Sequence, residues 1–586
     1  MKPVLALLLA VLLGPAAAAA QAPSDLAQAQ REAERRFVVQ SDVLVPTPDG
    51  AQIAVLIVRP RTSGKLVALL GFTIYADDRR ALADSVKMAE HGYAGVVAYS
   101  RGKGRSPGPA VPYEHDGADA ATVIEWIARQ DWSDGRVGMY GGSYNSSTQW
   151  GAAKRMPAAL KAIATSASNA PGIDTPMWRG VFMNFIYPWP LYTTKTKYLD
   201  EAGYAEAARW SALYRAWYLS GRPYREMEKL DREPNPIFAK WLQHPTYDAY
   251  WQAFTPQGRE FARIDIPVLA ITGYFDGGEV GVLHYLREHR RYRPQAEHRL
   301  LVGPYHHLAM GRGVLPTIGT YDIDPVARVD LQEIRLQWFD HVFHRKPLPP
   351  ILAGQVNFQV MGADRWKHVG SLDEMGERAM RFYLSPGGGA AEGGLVDQRP
   401  NRPGAVELVV DLRDRSDADV ETPWGPVLDK LDTRDAVVLT SAPLTTPLEV
   451  NGAFIGDLEF TTNKRDFDFG VSLYQQTPEG RYFTLAWSIY RASQVRDRRR
   501  RQLIEPGRPT RLRIESDHLT SRRMEAGSRI VAMLWVPKGT GYEINYGSGK
   551  PVADESIADA GAPLRIRWST NSWLELRTSD PALASK

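Results

Sequence analysis

The feature that most constrains this chain is a series of short, continuously apolar runs in its first half. They fall at residues 53–58, 66–70, 94–98, 136–140, 162–165, 267–272 and 299–302. Each has the length of a β-strand, and several lack the polar alternation that a half-exposed strand shows. Such runs suit strands covered on both faces. Helical patterns lie between them at residues 80–91 and 117–130, the second with Ala118, Val123, Ile124 and Ile127 as its apolar positions. Strand and helix in alternation predict a mostly parallel sheet with helices on both faces.

The alternation breaks at residues 171–255. This stretch is rich in aromatics, with Trp178, Phe182, Phe185, Tyr187, Trp189 and Tyr192 close together and prolines marking its turns. It reads as a helical insertion lying over the strand ends, and its aromatics serve equally well as a self-packed core. Beyond Leu348-Pro349-Pro350 the texture changes again. Short alternating runs punctuated by Gly, Pro, Asp and Asn extend to residue 567, the pattern of an all-β sandwich or jelly roll. Gly387-Gly388-Gly389 and Gly393-Gly394 predict an exposed loop within it.

With 586 residues the chain is long enough for two or three domains. Lys plus Arg number 71 against 67 Asp plus Glu, a net +4 that gives no reason to expect a nucleic-acid partner. The basic run from Arg496 to Arg501 reads as a solvated loop or strand end. There are no cysteines, which removes disulfides, thiolate catalysis and thiolate metal ligands. At the N-terminus Lys2, an apolar run at residues 4–13 and the small residues Ala18-Ala19-Ala20-Gln21-Ala22 make the three parts of a secretory signal peptide. The apolar run is shorter than the roughly 20 residues of a membrane span. The expectation is an exported protein, periplasmic or extracellular, with no membrane association after cleavage of residues 1–22.

Arg136-Val137-Gly138-Met139-Tyr140-Gly141-Gly142-Ser143-Tyr144 carries the strongest chemical signal. An apolar strand runs into Gly-Gly-Ser and a helical stretch follows, the outline of a nucleophile elbow. The turn is tight and the serine strained, so small neighbours are needed for the backbone to close. Asn145 stands where an elbow usually has a small residue. A serine nucleophile needs a base, and the base an orienting carboxylate. In this kind of fold they follow in the order Ser, acid, His. Asp276 lies just past the apolar run 267–272, and His306-His307 just past the run 299–302. Spacing alone does not choose between the two histidines.

Several segments together resemble the family of cocaine esterase, α-amino acid ester hydrolases, glutaryl-cephalosporin acylases and X-prolyl dipeptidyl peptidases. They are Trp132-Ser133-Asp134-Gly135-Arg136-Val137-Gly138-Met139, Gly141-Gly142-Ser143-Tyr144 with Thr148-Gln149-Trp150, and Arg101-Gly102 with Gly104, Ser106, Gly108, Glu114 and Asp116-Gly117. Gly273-Tyr274-Phe275-Asp276 and Gly303-Pro304-Tyr305-His306-His307 resemble the acid and histidine segments, and the last pattern selects His307. Val360-Met361-Gly362 with Trp366, Asp466-Phe467-Asp468 and residues 527–530 resemble parts of the family's C-terminal domain. Ser146 departs from the family's usual Gly, Tyr99-Ser100 from an acidic lead, and Ile74 from a Pro.

The resemblance implies an α/β-hydrolase domain with a helical cap insertion, followed by a C-terminal all-β jelly-roll domain. The layout is then a hydrolase domain over residues 23–170 and 256–350, a cap over 171–255 and a jelly roll over 351–586. It implies Ser143, Asp276 and His307 as the triad, with the Tyr144 amide and the Tyr75 hydroxyl as oxyanion donors. No metal or organic cofactor is required by that chemistry. Trp178 and Phe182 are candidates to bind the substrate. Asp174 and Glu279 are candidates to receive a free α-amino group. Expected substrates are small esters, amides or short peptides. The jelly roll is expected either to wall the active site or to mediate homo-oligomer assembly. Release of X-prolyl dipeptides is the alternative activity, and a non-catalytic carbohydrate-binding protein the alternative class.

Overall fold

The computed structural model describes residues 23–387, 392–420, 422 and 425–580. The expected signal peptide lies outside the described residues, as do Gly388 and Gly389 of the expected loop. The lead-in forms the helix Pro23–Arg36, which runs directly into the first strand.

Ten strands make the N-terminal sheet. Their spatial order is Phe37–Pro46, Gln52–Pro60, Ala94–Tyr99, Leu66–Thr73, Ser133–Gly142, Leu160–Ser166, Val268–Phe275, His298–His306, Val356–Val360 and Arg365–Val369. Pairing is parallel from Ala94–Tyr99 across to Val356–Val360. It is antiparallel at both edges. The central strands are buried along nearly their whole length, as their unbroken apolar runs require. Helices Asp78–Glu90, Asp116–Ala128, Tyr144–Arg155, Glu279–Tyr292 and Leu331–His344 accompany them. In Asp116–Ala128 the buried face is made by Ala120, Val123, Ile124 and Ile127. Ala118, expected on that face, is exposed. Gly117 and Ala120 point inward, and buried Asp119 is held by Arg101 in a two-pronged ion pair at 2.7 Å.

Two strands just past the expected boundary at residue 350 join the first sheet. Val356–Val360 pairs in parallel with His298–His306, with Leu300 opposite Val356, and Arg365–Val369 closes the edge behind it. Both strands therefore belong to the hydrolase sheet, and the all-β domain begins its own sheet at Arg378–Pro386. Alternation in this segment is that of an edge hairpin, which sequence cannot distinguish from the first strands of a sandwich.

The second large sheet has thirteen strands, all of them after residue 377. Its longest, Leu448–Thr462, alternates buried and half-buried positions. Phe460, Phe467 and Phe469 pack around Trp568 at ring distances of 5.2, 6.3 and 5.6 Å. The cap carries a two-stranded hairpin, Met177–Trp178 with Val181–Phe182, beside its helices. That hairpin is one of the places where cap and all-β domain meet, with Arg215–Asp419 and Tyr218–Asp417 among the others. Arg491, fully buried, pairs with Asp468 and Glu543 at 2.8 Å and also donates to the Gly180 carbonyl. Glu543 accepts the Phe182 amide at 3.0 Å. Among the described residues no helix is long and apolar enough to cross a membrane.

Candidate active site

Ser143 stands between the strand Ser133–Gly142 and the helix Tyr144–Arg155, with φ 56° and ψ −126°. A serine there is strained, and the surrounding backbone has to enforce it. The two preceding glycines make this possible. A Cβ on Gly141 (φ +143°) would come within 2.6 Å of the Asn145 Cβ, and one on Gly142 within 2.6 Å of the Ser166 hydroxyl. Absence of a side chain at 141 is what lets Asn145 occupy its unusual place in the elbow. The Ser143 amide donates to the Ser166 carbonyl at 2.9 Å, tying the turn to the neighbouring strand. Ser146, in place of glycine, donates its hydroxyl to the Gly141 and Ser166 carbonyls at 3.2 and 3.1 Å.

Asp276 follows the strand Val268–Phe275, and His307 follows His298–His306. These are adjacent parallel strands in the same sheet as the elbow, so all three residues emerge at the C-terminal edge. His307 Nδ1 lies 2.7 Å from Asp276 Oδ1. The Gly278 amide donates to Oδ1 at 2.8 Å and the Thr272 hydroxyl to Oδ2 at 3.0 Å. Burial works to raise Asp276, but the His307 charge and these donors hold its carboxyl below the usual value of 3.8. Burial likewise works to lower His307, and Asp276 outweighs it, raising the imidazole above 6.5. An ionised Asp276 only accepts, so Nδ1 carries the proton and Nε2 is the nitrogen available as base. His306 is used otherwise: its Nδ1 accepts the Leu308 amide at 3.1 Å.

Tyr75 follows the strand Leu66–Thr73, and its amide donates to the Thr73 hydroxyl at 2.9 Å. Its phenol accepts the Trp189 indole N–H at 3.2 Å, and the Ser143 hydroxyl lies close enough to favour the phenolate. Burial raises the Tyr75 phenol above its ordinary value, so it stays a neutral donor. Tyr144 is the first residue of its helix, where N–H groups lack intrahelical acceptors. Its ring is locked at the far end: the phenol donates to Asp116 in a very short bond and accepts the Tyr113 amide at 2.8 Å. Burial pushes Asp116 up to about 6, against the bond from Tyr144. Tyr113, at φ 71°, stacks on Tyr144 at 4.8 Å. The two sequence-predicted donors therefore belong to one aromatic cage that also contains Trp189.

The structure separates the four expected substrate contacts. Trp178 remains beside the triad. Its ring lies 3.5 Å from the position of a Cβ on Gly277, the neighbour of Asp276, and packs against Trp487 and His518 of the all-β domain at 4.6 and 6.0 Å. Phe182 is corrected to a core residue. It is fully buried against Tyr224 and Phe238. Glu279 is also corrected. It is completely buried and accepts the Leu519 amide of the all-β domain at 2.9 Å, and burial pushes its carboxyl far up. Asp174 is buried and accepts the Ala170 amide at 2.9 Å. Burial pushes it up to about 8, although it is close enough to raise His307. Trp189, Trp487 and His518 were not singled out by motif. Trp189 stood in the aromatic cluster, but no local signal distinguished it from its neighbours. Among the described residues no group of three His, Asp or Glu side chains is placed to hold a metal ion.

Residues 49–309 match the X-Pro dipeptidyl-peptidase (S15) family, and residues 352–548 match the X-Pro dipeptidyl-peptidase C-terminal non-catalytic domain. Over 565 residues the chain is 27% identical to the cocaine esterase of Rhodococcus sp. (strain MB1 Bresler), spanning 89% of this chain and 95% of that protein. Solved structures share its fold. An aminopeptidase from the marine sediment archaeon Thaumarchaeota archaeon superposes with TM-score 0.76 at 21% identity, over 93% of this chain and 96% of that one. An α-amino acid ester hydrolase does so with TM-score 0.75 at 20% identity, over 93% and 97%.

Proposed function

The chain belongs to the cocaine-esterase and X-Pro dipeptidyl-peptidase family of serine hydrolases, and from that premise we propose that it cleaves ester bonds of small acyl substrates through an acyl-enzyme on Ser143. Amide bonds of the same acyl groups are open to the same chemistry. His307 Nε2 takes the Ser143 proton as Oγ attacks the carbonyl. Asp276 holds the imidazole in the required tautomer and stabilises its charged form. The Tyr144 amide and Tyr75 phenol receive the oxyanion, each donor contributing roughly 3–4 kcal/mol. Water then resolves the acyl-enzyme with His307 again as base. The observation that carries this reading is the 2.7 Å Asp276–His307 bond at strand ends, on the same sheet edge as a serine held at φ 56°.

A second reading, release of X-prolyl dipeptides, is supported by the match over residues 49–309. Recognition of a free α-ammonium calls for an exposed, ionised carboxylate. Asp174 and Glu279, the acids considered for that part, are buried, accept the Ala170 and Leu519 amides, and are pushed up by desolvation, Asp174 to about 8. Acyl groups without a free amine therefore rank first, and the aromatic Trp178 beside the triad favours apolar ones. We also propose that the protein acts after export, on the strength of Lys2, the apolar run at 4–13 and the small residues at 18–22.

A fluorophosphonate probe tests the nucleophile. Wild type should be labelled and Ser143→Ala should not. Folded wild type that resists labelling would remove the hydrolase assignment for this site. Turnover of p-nitrophenyl acyl esters should exceed that of X-Pro p-nitroanilides, and the opposite order would promote the peptidase reading.

A further inference from the structure

The two oxyanion donors differ in one mechanical respect. A backbone N–H is fixed by its peptide plane, whereas a phenol O–H turns about its C–O bond. Tyr75 donates usefully only if its hydrogen points at the reacting carbon's oxygen. Something has to set that rotor, and preorganisation of this kind is where oxyanion holes derive their effect.

We infer that Trp189, in the cap helix Pro188–Thr194, is a positioning residue of the oxyanion hole, its indole N–H directing the Tyr75 hydroxyl hydrogen toward Ser143. The inference rests on the reading of Ser143 as nucleophile. An indole N–H is a donor and never an acceptor. At 3.2 Å from the Tyr75 oxygen it must donate, and it takes up a lone pair of that oxygen. The phenol hydrogen cannot then lie toward Trp189. The Ser143 hydroxyl is the other polar side chain felt at that oxygen, so the hydrogen is left to the Ser143 side, where the substrate's carbonyl arrives on the reading above. Without Trp189 the Tyr75 oxygen could accept the Ser143 proton instead. That polarity would stabilise the resting serine and present a lone pair to the oxyanion.

The indole itself cannot swing away. It is almost fully buried and stacks on Tyr113 at 6.3 Å with planes 10° apart, on Trp241 at 6.1 Å, and against Tyr144 at 5.5 Å. Tyr113 and Tyr144 are in turn held by Asp116. The cap thus supports catalysis directly through Trp189 as well as covering the strand ends.

Trp189→Phe keeps an aromatic ring and removes the N–H. In the full-length protein kcat should fall about 10-fold with KM little changed, and Tyr75→Phe should lower it about 100-fold. Trp189→Phe introduced on top of Tyr75→Phe should cost nothing further, because the rotor it acts on is gone. An unchanged kcat in Trp189→Phe, or the same loss with and without Tyr75, overturns the inference. Should that variant not fold, benzothienylalanine placed at position 189 keeps the bicyclic shape without the N–H and is read the same way. Fluorophosphonate labelling of wild type separates the two failures. Labelled protein with no coupling between positions 75 and 189 removes the Trp189 role alone, and unlabelled protein removes the serine nucleophile on which it rests.

Discussion

Two carboxylate–cation contacts of nearly equal length do opposite work in this molecule. Asp276 meets His307 at 2.7 Å, and Asp468 meets Arg491 at 2.8 Å. The His307 side chain keeps 24% of its exposure, whereas Arg491 keeps 1%. Arg491 makes four hydrogen bonds, to Asp468, Glu543 and the Gly180 carbonyl around one guanidinium, and it never gives up a proton under ordinary conditions. His307 is bonded through one nitrogen and keeps the other for chemistry. A pair becomes catalytic when one partner can titrate and has a nitrogen to spare. It becomes a structural joint when the cation cannot titrate and each of its nitrogens is bonded.

The largest effect should come from breaking the catalytic pair. Asp276→Asn leaves the geometry almost intact but no longer selects the Nδ1–H tautomer, and kcat should drop about 10⁴-fold while thermal unfolding shows a folded protein. A loss of only a few-fold would mean that Asp276 does not orient the base. Arg491→Met breaks the other pair and leaves Asp468 and Glu543 buried without their cation. It should cost about 3–5 kcal/mol in denaturant unfolding. The hairpin carrying Trp178 should loosen with it, seen as protease sensitivity near Arg179. Unchanged stability would show that the joint is ornamental.

Titration sharpens the contrast. The rise of kcat/KM with pH should have its midpoint above 6.5, because Asp276 raises His307 and only the neutral imidazole is a base. In Asp276→Asn the residual activity should titrate lower. The stabilisation from His307 is fully present below 6.5 and is lost as pH rises through its raised folded value. That from Asp276 is present above 3.8 and is lost as pH falls through its lowered folded value. The pair therefore stabilises the fold most between those two values, and the enzyme works above that window. A midpoint at or below 6.5 would contradict the coupling. Glu279→Gln should be the quietest change. The carboxyl is buried and pushed well up by desolvation, so an isosteric amide should cost less than about 1 kcal/mol at pH 7 and leave kcat within about two-fold. A large loss would restore an ionised Glu279 to the site.

The elbow, the acid and the histidine were legible because each is local. Gly141-Gly142-Ser143 fixes its own backbone, and Asp276 and His307 sit one or two residues past apolar strands whose ends a parallel sheet brings to one edge. The hydrolase strands were legible for the same reason, since burial on both faces writes an unbroken apolar run. The hairpin at 356–369 pairs with the first sheet although it lies past the expected boundary, because edge alternation reads alike in two different sheets.

What the sequence by itself determined, then, is the order of strands and helices, the strained serine and the residues able to act on it. The tertiary structure alone decided which candidate acids face a substrate and which are sealed inside. Glu279 is occupied by Leu519, 240 positions away, and Tyr75 by Trp189, 114 positions away. Local backbone geometry leaves a periodic mark on sequence. A hydrogen bond between segments that meet only when the cap and the all-β domain close over the sheet leaves none.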